Sequence, residues 1–190
     1  MAERVTFPSC TGPTLTGVID RPDGAIRGWG VFSHGFTLGK DCPAAARICK
    51  QLAKDGIAMM RFDALGLGDS DGDWGDGSFT VKANDVIAAC TFMAERGTPA
   101  DILIGHSFGG ARCARGHRAM DPVHADSTRR DVPRGQRLDG KGSRGVLQCR
   151  AYVDHASWVM MVIPVQNCPS TFRKVRGSIS GVDISARTST

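Results

Sequence analysis

The sequence predicts an α/β fold, a mostly parallel sheet with flanking helices, on three observations. Strand-like apolar runs alternate with segments of helical periodicity along the first 110 residues. Several of those runs are apolar at successive positions, as strands covered on both faces must be. They end in glycine-rich tips, and in such sheets sites form beyond the carboxyl ends of the strands. Chemistry is therefore expected at residues 34–36, 63–70 and 105–109.

Residues 4–7 and 14–19 are short β-type runs separated by Pro8, Gly12 and Pro13, and read as an antiparallel pair. Arg21-Pro22-Asp23-Gly24 has turn chemistry, because proline presets φ and glycine tolerates its positive values. Residues 28–33 form an apolar strand broken by His34-Gly35. Over 43–54, Ala45, Ile48, Cys49 and Leu52 recur at helical spacing. Asp41 is placed to cap that helix, and Pro43 falls in its first turn, where a missing N–H costs little. Lys54-Asp55-Gly56 ends it, residues 57–63 form a second buried-type strand, and 64–78 a Gly/Asp-rich loop. A helix follows over 80–95 with Val81, Ile87, Cys90 and Met93 on one face. A short strand, Ile102-Leu103-Ile104, then runs into Gly105.

Composition bounds the class. The hydrophobic fraction is 41% and the mean hydropathy −0.16, ordinary for a soluble domain. No signal peptide is evident at Met1-Ala2-Glu3-Arg4. The longest apolar stretch, 158–165, is far short of the roughly 18–20 residues a membrane helix needs. Seven cysteines with no Cys-x-x-Cys pair fit free thiols in a reducing compartment, so the expected location is the cytoplasm. The net charge of +5 conceals two halves: residues 1–110 hold 10 Lys+Arg against 13 Asp+Glu, and residues 111–190 hold 14 against 6. The basicity lies entirely in the second half.

Gly105-His106-Ser107-Phe108-Gly109 fits a nucleophile elbow. An apolar strand precedes it, and the small residues Gly109, Gly110 and Ala111 follow where a helix must start close to the sheet. The spacing has a steric reason: glycines two residues either side of the serine let strand and helix approach, and the sharp turn lifts the hydroxyl clear. Two N–H donors should face the oxyanion that forms, one from Phe108 and one from Phe36 in the loop after the third strand.

Other chemistries fit poorly. Cys113, His117 and His124 match no zinc module, and no metal or cofactor is called for. Gly66-x-Gly68 lacks the third glycine of a dinucleotide loop, since Asp71 stands there. Asp69, Asp71 and Asp73 would need glycine at Trp74 and glutamate at Thr80 to hold calcium. An exposed acidic loop is expected instead.

His34-Gly35-Phe36, then Arg61-Phe62-Asp63-Ala64-Leu65-Gly66-Leu67-Gly68-Asp69-Ser70, then Gly105 to Gly110 resemble the α/β-hydrolase superfamily, in its serine aminopeptidase-like and esterase-like members. The wording resembles the hydrolase half of bacterial proteins fused to an OsmC-like peroxide-reducing domain. The resemblance covers residues 4–112. It implies a serine hydrolase of small ester, thioester or amide bonds with Ser107 as nucleophile, and a small molecule as its substrate. It makes neither His34 nor His106 the base.

The pattern stops there. Chain order in this superfamily is serine, acid, histidine, and residues 111–190 carry 12 Arg, two Lys and no Glu. Helical periodicity lapses where the nucleophile helix should run, with Gly116 interrupting it, and residues 121–145 suit little burial. We expect residues 1–112 to be the front of an α/β-hydrolase domain, incomplete at the carboxyl end. Residues 113–190 are expected to be an atypical basic tail, poorly ordered and produced by a change of coding frame near residue 111. In it only 145–152 and 157–165 could form strands, and residues 102–104 should be left as an exposed apolar edge. His117, His124 and His155 are candidate bases by residue type alone, with Asp154 the acid neighbour of His155. Two further functions compete. One is a non-catalytic hydrolase remnant. The other is a nucleic-acid binder through Arg129, Arg130, Arg134 and Arg137, disfavoured by the sparse aromatics of the tail.

Overall fold

The computed structural model describes residues 1–120, 150–153 and 159–164. Their elements in chain order are β1 (Ala2–Pro8), β2 (Thr14–Asp20), β3 (Gly28–Ser33), α1 (Pro43–Lys54), β4 (Ile57–Phe62), α2 (Phe79–Glu95), β5 (Ile102–His106), α3 (Phe108–Met120), β6 (Arg150–Val153) and β7 (Val159–Pro164). The strands make one sheet in the order β1-β2-β4-β3-β5-β7-β6. Its centre is parallel: β3 lies between β4 and β5, from Gly28 opposite Ile57 to Ser33 opposite Gly105. The helical crossovers α1 and α2 impose that direction. The β1–β2 hairpin joins antiparallel at β4, with Ala2 opposite Asp20 and Gly17 opposite Phe62.

Side chains alternate across the sheet and feed two cores. Phe32, Met59, Ile102 and Ile104 pack with Ala45, Ile48, Cys49 and Leu52 of α1. Val31, Met60, Phe62 and Leu103 point the other way, onto Val86, Ala89, Cys90 and Met93 of α2 and Cys113 of α3. This two-sided cover explains why the central strands are apolar at successive positions, with Ser33, Arg61 and His106 the polar exceptions near their carboxyl ends.

Four expectations need correction. Asp41 does not cap α1. Cys42 occupies the N-cap without a side-chain bond, and the Asp41 carboxylate instead meets Arg61 Nη1 at 2.5 Å and Lys40 Nζ at 3.1 Å. Two nearby cations outcompete a neutral N–H for that carboxylate. The buried face of α2 runs through Ala83, Val86, Ala89 and Met93, while Val81 and Ile87 are half-buried at its margin. Helical periodicity does not lapse at Gly116, because α3 continues to Met120. A mid-helix glycine costs only about 1 kcal/mol, and a Cβ at Gly116 would lie 3.2 Å from the Ala83 carbonyl of α2. Finally, the β5 edge is not bare. β7 pairs antiparallel along it, with Ile102 opposite Pro164 and His106 opposite Met160, and Ile163 is buried. A β-branched run such as Val162-Ile163 supplies the edge partner even though the surrounding composition is poor in apolar residues.

Candidate active site

Ser107 joins β5 to α3 at φ 51°, one of two non-glycine residues with positive φ among the described residues. Such a conformation costs about 1–3 kcal/mol and persists only where its surroundings enforce it. The flanking glycines show the enforcement. A Cβ at Gly105 would meet the Gly109 carbonyl group at 2.5 Å, and one at Gly109 would collide with the Ser33 and His34 carbonyls. The turn therefore closes only with bare backbone at both places, and it leaves Ser107 exposed. Gly110 N–H donates to Ser107 O at 2.9 Å, which tightens the first turn. Phe108 opens α3, so its N–H has no intrahelical carbonyl and points from the positive end of the helix.

The segment expected to carry the second donor follows β3. His34 is buried, and its ring is fixed at both nitrogens: Ala64 N–H donates to Nε2 at 3.1 Å, while Nδ1 lies 2.8 Å from Gly35 O. Because an amide can only donate, Nε2 is the acceptor and Nδ1 carries the hydrogen. Burial, and then the nearby Arg112 charge, lower the His34 pKa to about 4. His34 is thus a neutral strut that holds the loop from 34 to 36 against the tip of β4. Thr37, the other positive-φ residue, has φ 53° directly after Phe36. The Phe36 and Phe108 rings meet edge-on, centroids 5.4 Å apart.

Behind this loop lies a network of buried ions. Lys40 and Asp63 are 4% and 1% exposed. Asp63 accepts from Lys40 N at 2.6 Å, Lys40 Nζ at 2.8 Å and Asp69 N at 3.0 Å. Lys40 Nζ also reaches Asp69 at 2.7 Å. Burial alone would depress the Lys40 pKa, but the carboxylates of Asp63, Asp69 and Asp41 outweigh it and hold that pKa above the ordinary value. Arg61 Nε donates to Asp20 at 2.7 Å, and its Nη1 to Lys40 O at 2.8 Å. The network ties the loops after β3 and β4 together. The sequence carried one signal for it, Asp63 at a strand tip opposite Lys40.

The chain's family follows from what else shares this order of segments. A family model described as serine aminopeptidase, S33, matches residues 24–124, more than half of the chain. The chain belongs to the S33 serine aminopeptidase family. Its fold is that of α/β-hydrolases of known structure. An α/β hydrolase, GrgF from Penicillium sp. sh18, is 25% identical with a TM-score of 0.56, over 62% of this chain and 42% of that one. The esterase domain of a Rhodothermus marinus protein is 32% identical with a TM-score of 0.50, over 63% and 45%. A serine hydrolase homologue from Coxiella burnetii is 23% identical with a TM-score of 0.56, over 62% and 57%. The S33 chain thus spans about half the length of these structures. No curated protein matches it.

Of the residues expected to build the site, Gly105, His106, Ser107, Phe108 and Gly109 form the elbow, and Phe36 meets Phe108 across it. The His106 ring lies against the Gly35 backbone, and burial lowers its pKa. His117 stands nine residues beyond Phe108 on α3, about 13 Å along the helix axis, and so away from Ser107. His124, Asp154, His155, Arg129, Arg130, Arg134 and Arg137 lie outside the described residues. Among the described residues no three His, Cys, Asp or Glu side chains cluster as metal ligands, and no helix is long and apolar enough to cross a membrane.

Two features escaped sequence reasoning. The Lys40–Asp63 network is one. The other is Arg112, fully buried on α3, whose Nη2 donates to His34 O while Nε and Nη1 find no partner among the described residues. Burial lowers its pKa to about 10.

Proposed function

We propose that the chain is a serine hydrolase of small ester, thioester or amide bonds. Ser107 is the nucleophile, and the Phe36 and Phe108 amides receive the oxyanion. One observation carries this: Ser107 is held exposed at positive φ by glycines whose places admit no side chain. Such strain is characteristic of functional sites, and in this fold the turn is what lifts the serine hydroxyl clear of the sheet toward a substrate carbonyl. On this reading the hydroxyl adds to the acyl carbon, and the carbonyl oxygen takes the negative charge beside the two amides. The leaving group departs with the proton the hydroxyl gives up, and water then cleaves the acyl–serine ester to release the acid and restore the hydroxyl.

The proton's route sets the rate. His34 is neutral with both nitrogens engaged, and His117 lies well down α3. We place residues 1–112 as the front of the hydrolase domain and 113–190 as an atypical basic tail, whose candidate bases by residue type, His124 and His155, lie outside the described residues. If no base exists, turnover should fall about 10⁴- to 10⁶-fold below that of an intact triad, and Ser107 should resist a fluorophosphonate. Arg112, a buried cation with two unmatched donors, favours a second reading, a remnant that folds without turnover. A fluorophosphonate probe separates the two. Covalent labelling that disappears in Ser107→Ala supports the hydrolase, and labelling undiminished in that variant removes Ser107 from the mechanism.

A further inference from the structure

Acyl transfer needs a serine and two amides, yet this site also carries a row of aromatic rings. Phe36 and Phe79 are 58% and 38% exposed, two of only four large hydrophobic side chains exposed among the described residues. Phe79 meets Phe108 edge-on at 5.4 Å, as Phe36 does from the other side. Trp74 extends the row, 5.5 Å from Phe36 at an interplanar angle of 77°. The four rings come from four separate segments: the loops after β3 and β4, the start of α2 and the first residue of α3. Phe108 adjoins Ser107 directly.

Trp74 is fixed in place from below. Lys82 Nζ donates to the Trp74 carbonyl at 2.8 Å and to the Gly77 carbonyl, and lies 3.8 Å from the centre of the indole ring. Lys82 itself is 4% exposed. The row is therefore ordered without a ligand, which lowers the entropic cost of binding one. Apolar surface left facing water beside a reactive group is unfavourable for the free chain, and becomes favourable when an apolar group covers it. Rings that meet edge-to-face accept a further ring in the same manner.

We propose that Phe36, Trp74, Phe79 and Phe108 form the acyl-side wall of the Ser107 site and select substrates whose acyl group ends in an aromatic ring. This rests on Ser107 as the nucleophile, but the wall can be tested without turnover. Indole emission is followed while the full chain is titrated with 4-phenylbutyrate, and separately with 2-(2-methoxyethoxy)acetate, an acid of similar length without a ring. Trp74→Phe assigns the signal, because Trp29 and Trp158 remain in that variant.

The wall predicts saturable quenching by the aryl acid, in the original chain and in Ser107→Ala alike. Affinity for the glycol acid should be at least tenfold weaker, and a Phe36→Ala, Phe79→Ala double variant should lose about tenfold toward the aryl acid. Both side chains are partly exposed, so far-UV circular dichroism should be unchanged. If the double variant does not fold, Phe79→Leu alone provides the comparison. Equal affinity for the two acids, no saturable quenching, or quenching indifferent to the Phe substitutions overturns the wall. Fluorophosphonate labelling run alongside keeps the two ideas apart. A labelled Ser107 with no aryl preference overturns the wall only, whereas aryl binding with an unlabelled Ser107 supports the wall and counts against the nucleophile.

Discussion

Buried cations are treated differently on the two sides of the elbow. Before it, Lys40 is matched by three carboxylates and Arg61 by two. Lys82 is matched by two carbonyls and an indole face. After it, Arg112 is equally buried and lies 5.4 Å from the centre of the Phe108 ring. But it gives one hydrogen bond, to a backbone carbonyl, and two of its nitrogens find no partner among the described residues. Across from α3, Asp85 of α2 shows the complementary defect: Oδ1 accepts from Ser9 and Cys10, and Oδ2 has no partner among the described residues. A buried ion that is fully paired specifies a geometry, and one that is half paired mainly costs stability. At position 112 the charge is thus less well compensated than at positions 40, 61 or 82.

This contrast can be broken from either side. The largest effect is expected for Lys40→Met, which strands the buried Asp63 carboxylate; urea unfolding should show a loss of about 3–5 kcal/mol. Little or no loss would mean that the network is ornamental. His34 provides the next test. The folded chain resists a proton that the unfolded chain accepts below its ordinary pKa of 6.5, so stability falls as pH drops from 6.5 toward 4. The total loss should be about 3 kcal/mol, and a His34→Gln variant should lack that slope. Arg112→Met should act in the opposite direction and raise stability by about 2 kcal/mol. It should also raise the His34 pKa, because the Arg112 charge is one of the causes that depress it. Ser78→Ala is the smallest, a loss of about 1 kcal/mol from the cap that accepts Val81 N–H at 3.2 Å.

The strands and helices before the elbow were legible because hydrophobic period and turn chemistry are local properties. The sequence places β3 and α1 at the bounds that the structure has, and α2 one residue late, at Thr80 in place of Phe79. Asp41 was misread as a cap because the competing cations, Lys40 and Arg61, include one from a distant strand. The α2 face was displaced because it is not purely apolar: Lys82 and Asp85 also point in, to partners on other segments that hydrophobic period does not reveal. The elbow was legible from glycine spacing read together with the apolar strand before it and the small residues after it, since steric exclusion at Gly105 and Gly109 is written into which residue is absent. The aromatic row was not: residues 36, 74, 79 and 108 share no periodicity, and only the strand tips bring them together.

The oxygen on that strained turn can be interrogated directly. Trypsin cutting after Arg96 and Arg112 would release residues 97–112, in which Ser107 is the lone serine. After exposure of the intact chain to a fluorophosphonate, tandem mass spectrometry should find the adduct on this peptide and assign it to Ser107. An adduct confined to other serines, or to denatured protein alone, would contradict the account.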